Sequence, residues 1–132
     1  MDPVNHPEHY QKASIAVIIE PIQLAEMYDF CIGNAIKYIL RAPYKGNEKQ
    51  DLEKAKWYLD RAWLKFFDLS TIDLTTSYIK PNTNLLDTFI INSFKLNNKY
   101  IRLLILDDNG LISRESIEAT TNEITKYLKS VV

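Results

Sequence analysis

Lys37 and Arg41 stand one helical turn apart, with Asn34 a turn before them and Tyr38 between. Residues three, four and seven apart lie over one another on an α-helix, so these four would share one face. A guanidinium grips a phosphate through two parallel hydrogen bonds, whereas an ammonium meets it as a point charge. Such a face offers a place to hold a di- or triphosphate; the plainer alternative is a solvated helix surface. Asp51, Lys54 and Tyr58 repeat at the same spacing farther along. Lys54 and Tyr58 would meet the same groove if the two stretches fold back on one another. Asp51 either accepts a proton or a sugar hydroxyl there, or favours the N-terminus of its own helix.

His6 and His9 lie three apart in a polar stretch without helical period. That spacing alone is a weak sign of metal ligation. A role beside a phosphate suits imidazole better, and two ordinary histidines on an exposed arm suit the spacing equally well. Trp57, Tyr58, Trp63, Phe66 and Phe67 make the following stretch rich in aromatics. Aromatic faces stack nucleobases, but at helical spacing they more often build a core or an interface. Trp63 and Phe66 are read as core or interface, and Trp57 is open to either role.

Several familiar sites are excluded. No Gly-x-x-x-x-Gly-Lys-Ser/Thr loop is present, and glycines at 33, 46 and 110 are too scattered for a phosphate cradle. One cysteine cannot make a cysteine-based zinc site, and no serine has a nucleophile-elbow context.

The elements that must position these residues follow from hydrophobic period. Residues 1–14 read as an irregular arm, and 15–19 as a short apolar run that suits a strand or a helix entry. Pro21 suits a first helical position, with Ile22, Leu24, Ala25 and Tyr28 following until Asp29 and Phe30. A second helix is expected over 33–42, with Ile32, Ala35, Ile36, Ile39 and Leu40 inward and Pro43 as its stop. The turn signal Lys45-Gly46-Asn47 returns the chain into a third helix over 48–68, whose inner stripe is Leu52, Ala55, Leu59, Ala62 or Trp63, and Phe66. Together they form a helical hairpin.

Beyond Leu69 the composition shifts towards Thr, Asn and Ile, and 70–84 reads as a connector. Residues 85–96 are spaced as a helix, and 100–106 suit either a strand or a buried helical turn. Ser113 can cap a last helix with Glu115 in its first turn. The chain is therefore expected to be mainly α, an N-terminal helical hairpin with a histidine-bearing arm and a helical C-terminal half with one or more short strands. Its organisation is expected as 1–69 and an extension over 70–132.

Composition narrows the function classes. Of 132 residues 46% are hydrophobic and 25% charged, with a mean hydropathy of -0.21, as in globular proteins. Sixteen Lys and Arg against 17 Asp and Glu leave a net charge of -1 with no run of like charges, which argues against duplex nucleic acid as a partner. No apolar run approaches the ~20 residues of a membrane span, and the N-terminus lacks a signal-like pattern. With Cys31 as a lone, apolar-flanked thiol, a cytoplasmic location is expected.

Four ordered segments carry a family resemblance: His6-Pro7-Glu8-His9-Tyr10, Ile19-Glu20-Pro21-Ile22, Gly33-Asn34-Ala35-Ile36-Lys37-Tyr38-Ile39-Leu40-Arg41-Ala42, and Asp51-Leu52-Glu53-Lys54-Ala55-Lys56-Trp57-Tyr58-Leu59. Over residues 4–68 the chain resembles the small SaV-like domain family of bacteriophages. That family includes a nucleotide kinase, unrelated to the Gly-rich-loop kinases, that phosphorylates deoxynucleoside monophosphates without an obligatory metal and forms a large homo-oligomer. The resemblance implies a catalytic set of His6, His9, Lys37 and Arg41. It implies nucleotide contacts from Tyr10, Asn34, Lys37, Tyr38, Arg41, Lys45, Asp51, Lys54 and Tyr58. It further implies no required cofactor or metal, a nucleoside triphosphate as donor, a homo-oligomer, and action in the cytoplasm of an infected cell. One departure stands out: family members commonly follow the Arg-Ala pair with Gly and basic residues, where this chain has Pro43-Tyr44-Lys45-Gly46. The same cations and aromatics would also serve an oligomeric protein that sequesters a nucleotide, such as a cyclic signalling nucleotide of host antiviral defence, without altering it.

Overall fold

The computed structural model describes residues 19–44, 46–67, 78–82 and 87–131. In chain order the elements are α1 (Pro21–Ala25), α2 (Phe30–Arg41), a 3-10 turn (Ala42–Tyr44), α3 (Glu48–Leu64), a second 3-10 turn (Lys65–Phe67), β1 (Tyr78–Ile79), α4 (Asp87–Asn97), α5 (Lys99–Leu104), β2 (Ile112–Ser113) and α6 (Arg114–Ser130). The fold is mainly α with a small β appendage, in which β1 and β2 pair antiparallel, Tyr78 opposite Ser113 and Ile79 opposite Ile112.

The helix termini follow from local hydrogen bonding. Pro21 opens α1, and the Gln23 side chain closes back on the Glu20 N–H at 2.7 Å. Helix α2 starts at Phe30 because Asp29 accepts the Ile32 N–H at 3.0 Å, three residues earlier than hydrophobic period suggested. Asp29 and Phe30 thus begin the second helix instead of closing the first, which ends at Ala25. The chain leaves α2 through the 3-10 turn containing Pro43 and reverses at Gly46, whose φ of 72° belongs to the left-handed region. Helix α3 then runs 17 residues, about 26 Å, before tightening into 3-10 geometry. Residues 99–104 are helical, capped by Asn98, and the chain extends at Ile105.

Helices α2 and α3 form the expected hairpin, and α6 packs along α3 and α5. Ile32, Ile36 and Ile39 of α2 and Leu52, Ala55 and Leu59 of α3 meet Ile101 and Leu104 of α5 and Ile117 and Ile124 of α6 in one buried cluster. The core is therefore shared between the two halves of the sequence. Trp63 and Phe66 are half-buried against it. Two tight fits join its parts. An added Cβ on Gly33 would lie 2.7 Å from the Ala25 carbonyl oxygen, so α1 and α2 touch through the absence of a side chain. The buried Tyr28 hydroxyl donates to the Gly110 carbonyl at 2.7 Å, tying the α1–α2 corner to the turn before β2.

Candidate functional site

The hairpin brings Lys37, Tyr38 and Arg41 of α2 against Asp51, Lys54 and Tyr58 of α3. Tyr38 and Tyr58 stack across the two helices, 6.1 Å between ring centroids and 12° from parallel. Three cations gather on the Tyr38 ring: the Lys37 ammonium at 4.4 Å from its centroid, the Arg41 guanidinium at 5.3 Å and the Lys54 ammonium at 5.3 Å. The negative face of an aromatic ring attracts such charges and offsets part of their mutual repulsion. Two of the cations come from one helix and the third from the other, so an anion seated among them would bridge the hairpin.

Arg41 is held from behind. Its Nη2 donates to Asp51 Oδ1 at 2.9 Å and its Nε to Oδ2 at 3.2 Å. The Asp51 side chain is fully buried, while that of Arg41 is 42% exposed. The hydrogen bond to Asp51 pushes the guanidinium further above its ordinary range, so Arg41 stays charged at every accessible pH. Asp51, one of the residues expected to touch nucleotide, is instead engaged with Arg41 through both oxygens. Among the described residues, neither Lys37 nor Lys54 has a carboxylate within ion-pair distance.

A set of rings borders this cluster. Phe30 meets Tyr58 edge-on at 5.9 Å, and Trp57 meets the same ring edge-on at 5.1 Å. Phe30 is 72% exposed and Trp57 59%, so both present large apolar surfaces to solvent beside Tyr58, the ring that stacks on Tyr38. Their position comes from the antiparallel packing: Phe30 opens α2 where α3 closes, and an ion pair of 3.7 Å between Asp29 and Lys65 spans that end.

Asn34 lies on the same stretch of α2, but its amide donates to the Phe30 carbonyl at 2.8 Å, within its own helix. His6, His9, Tyr10 and Lys45 lie outside the described residues. Phe30 escapes the sequence reading, in which Asp29 and Phe30 close the first helix, whereas the Asp29 side chain caps the second. Trp57 was open between two roles, and its exposure removes it from the core. Among the described residues no cluster of three or more His, Cys, Asp and Glu could hold a metal, and no helix is long and apolar enough to cross a membrane. A separate open concavity of about 500 Å³ lies between α5 and α6, lined by Lys99, Arg102, Leu103, Ala119, Asn122 and Glu123; none of the expected site residues lines it.

Comparison with known proteins gives one family. Residues 4–60 match the family described as a protein of unknown function, DUF3310, a stretch that takes in α1, α2 and most of α3 with the cation cluster. No curated protein and no solved structure matches the chain.

Proposed function

We propose that this chain is a nucleotide-binding protein of the SaV-like kind, and that its activity is that of a nucleotide kinase, passing a phosphoryl group from a nucleoside triphosphate to a deoxynucleoside monophosphate. The observation that carries the binding part is the gathering of three cations on Tyr38, whose stacking partner Tyr58 is met by the exposed rings of Phe30 and Trp57. Cations meet the phosphates and an aromatic face stacks the base. The kinase part rests on the sequence resemblance and on the chemistry of the cluster. Phosphoryl transfer asks mainly for positioning and for offsetting the charge on the transferred group, a task that Lys37, Arg41 and Lys54 can perform. In this reading His6 or His9 orients or deprotonates the acceptor, the protein works as a homo-oligomer, and it acts in the cytoplasm of a phage-infected cell.

A second reading is favoured by Asp51. Both of its oxygens are engaged with Arg41, so among the described residues of the cluster no carboxylate is free to take a proton from an acceptor, and turnover would rest wholly on His6 or His9 as the base. A site that holds a nucleotide, such as a cyclic signalling nucleotide of antiviral defence, without turning it over needs no such base.

The deciding experiment is chromatography of a panel of deoxynucleoside monophosphates incubated with a triphosphate donor and the protein, with EDTA and with magnesium in parallel. The kinase reading expects diphosphate product in both conditions and its loss in Lys37→Ala. Intact monophosphate in both, with ligand recovered unchanged after heat denaturation of the complex, overturns it in favour of sequestration.

A further inference from the structure

Asp51 sits oddly in a site meant for anions. By charge alone a carboxylate beside three cations repels a phosphate, and Glu48 already supplies a negative charge to the first turn of α3. Asp51 is also fully buried, so it is out of reach of any ligand. What it does touch is specific. A guanidinium carries five N–H groups and can present two parallel pairs, one from Nε with an Nη and one from the two Nη atoms. Asp51 occupies the first pair, through Nε and Nη2. The second edge, one N–H from each Nη, is left on a side chain that is 42% exposed and lies 5.3 Å from the Tyr38 ring centroid.

We infer that Asp51 is a positioning residue for phosphate binding: it locks the Arg41 guanidinium by one edge so that the other is presented, with Lys37 and Lys54, to an oxyanion. This rests on the nucleotide-binding reading above. An unrestrained arginine would have to give up its rotamer freedom on binding, and the buried carboxylate removes that cost in advance. The oxyanion is a phosphate group, and the probe that isolates it from base stacking is inorganic pyrophosphate.

The sign of one substitution separates positioning from simple charge. Asp51→Asn removes a negative charge next to the site; if charge alone mattered, pyrophosphate would bind more tightly. If Asp51 positions Arg41, binding weakens despite the more favourable charge, because the side-chain amide nitrogen has no acceptor for one of the two guanidinium donors. A hydrogen bond to a charged group is worth roughly ten- to a hundredfold at equilibrium, and a loss of about tenfold or more is expected by calorimetric titration of the full chain. Arg41→Lys keeps the charge and loses the fork, and it should weaken pyrophosphate by a similar factor. In an Arg41→Ala background, adding Asp51→Asn should no longer weaken binding, since nothing remains to be positioned and only the favourable loss of negative charge is left; a merely structural Asp51 would weaken binding in both backgrounds. Equal or tighter binding by Asp51→Asn overturns the inference, and where that variant fails to fold by circular dichroism, undiminished binding by Arg41→Lys overturns it instead. A wild-type chain that binds neither pyrophosphate nor any deoxynucleoside monophosphate refutes the site itself, a result separate from the previous two.

Discussion

Replacing Gly33 by alanine sets two effects of known size against each other. Alanine is better than glycine inside a helix by about 1 kcal/mol, so an unobstructed Gly33→Ala would stabilise α2. The new methyl, however, would stand 2.7 Å from the Ala25 carbonyl oxygen and 3.6 Å from its carbon. That oxygen is backbone and accepts the Tyr28 N–H at 3.2 Å, so it cannot swing aside as a side chain would. Helix α1 must shift as a body; overpacking costs about 1–3 kcal/mol, and a contact below 3.0 Å with rigid backbone belongs in the upper half of that range, about 2–3 kcal/mol. The net is a loss of about 1–2 kcal/mol, which for 132 residues lowers Tm by about 4–7 °C. Thermal melts followed by circular dichroism measure it directly. A Tm equal to or above that of the wild type would refute the close approach of α1 and α2. Gly46→Ala is the companion variant: nothing lies within 4 Å of its Cβ, so its penalty comes from the left-handed φ of 72° alone, about 1–2 kcal/mol.

Other outcomes follow from the same structure. Phe30→Ala and Trp57→Ala should each weaken deoxynucleoside monophosphate by about 1–3 kcal/mol while leaving pyrophosphate affinity unchanged, a contrast that titration of both ligands reads. Tyr28→Phe leaves the buried Gly110 carbonyl without its donor and should cost about 1–3 kcal/mol in urea denaturation. Burial, with Asp107 nearby, raises the Tyr28 hydroxyl well above its ordinary 10.0; burial raises Tyr100, and the bond to Glu48 raises Tyr127. In all three the folded state holds the proton more tightly than the unfolded chain. Their contribution is therefore complete below pH ~10 and declines as pH rises beyond it, so the urea midpoint should fall across that range and fall less steeply in Tyr28→Phe.

Much of the hairpin is legible in the sequence, because its apolar residues keep a 3.6-residue period and its breaks carry Pro43 and Gly46. The meeting of Lys37, Tyr38 and Arg41 with Lys54 and Tyr58 follows from that period once the hairpin is assumed. Three things escape it. A cap and a terminator use the same residue types, so Asp29 could be assigned to either helix until the Ile32 N–H was seen on its side chain. A carboxylate in a first helical turn serves the helix from an exposed or a buried position alike, so nothing in the spacing distinguishes Asp51 as the anchor of Arg41. For residues 100–106 periodicity left strand and helix open, and the Asn98 cap decides for helix over Lys99–Leu104.

The bond of 2.6 Å from the Tyr127 hydroxyl to Glu48 joins α6 to the first turn of α3, three residues before Asp51. With the apolar packing of α6 on α3, this couples the two helices, so that opening of one exposes buried surface of the other. Opening that releases α6 would strip the cover from Leu52, Ala55 and Leu59 and leave the first turn of α3 to fray, taking the anchor of Arg41 with it. Ligand held at the cations then favours the closed form by mass action, and its effect extends to amides that no phosphate approaches. Slowed hydrogen exchange at Ile117 and Ile124, deep in a helix that contributes no atom to the cluster, is how occupancy of the hairpin would be felt at the other end of the sequence.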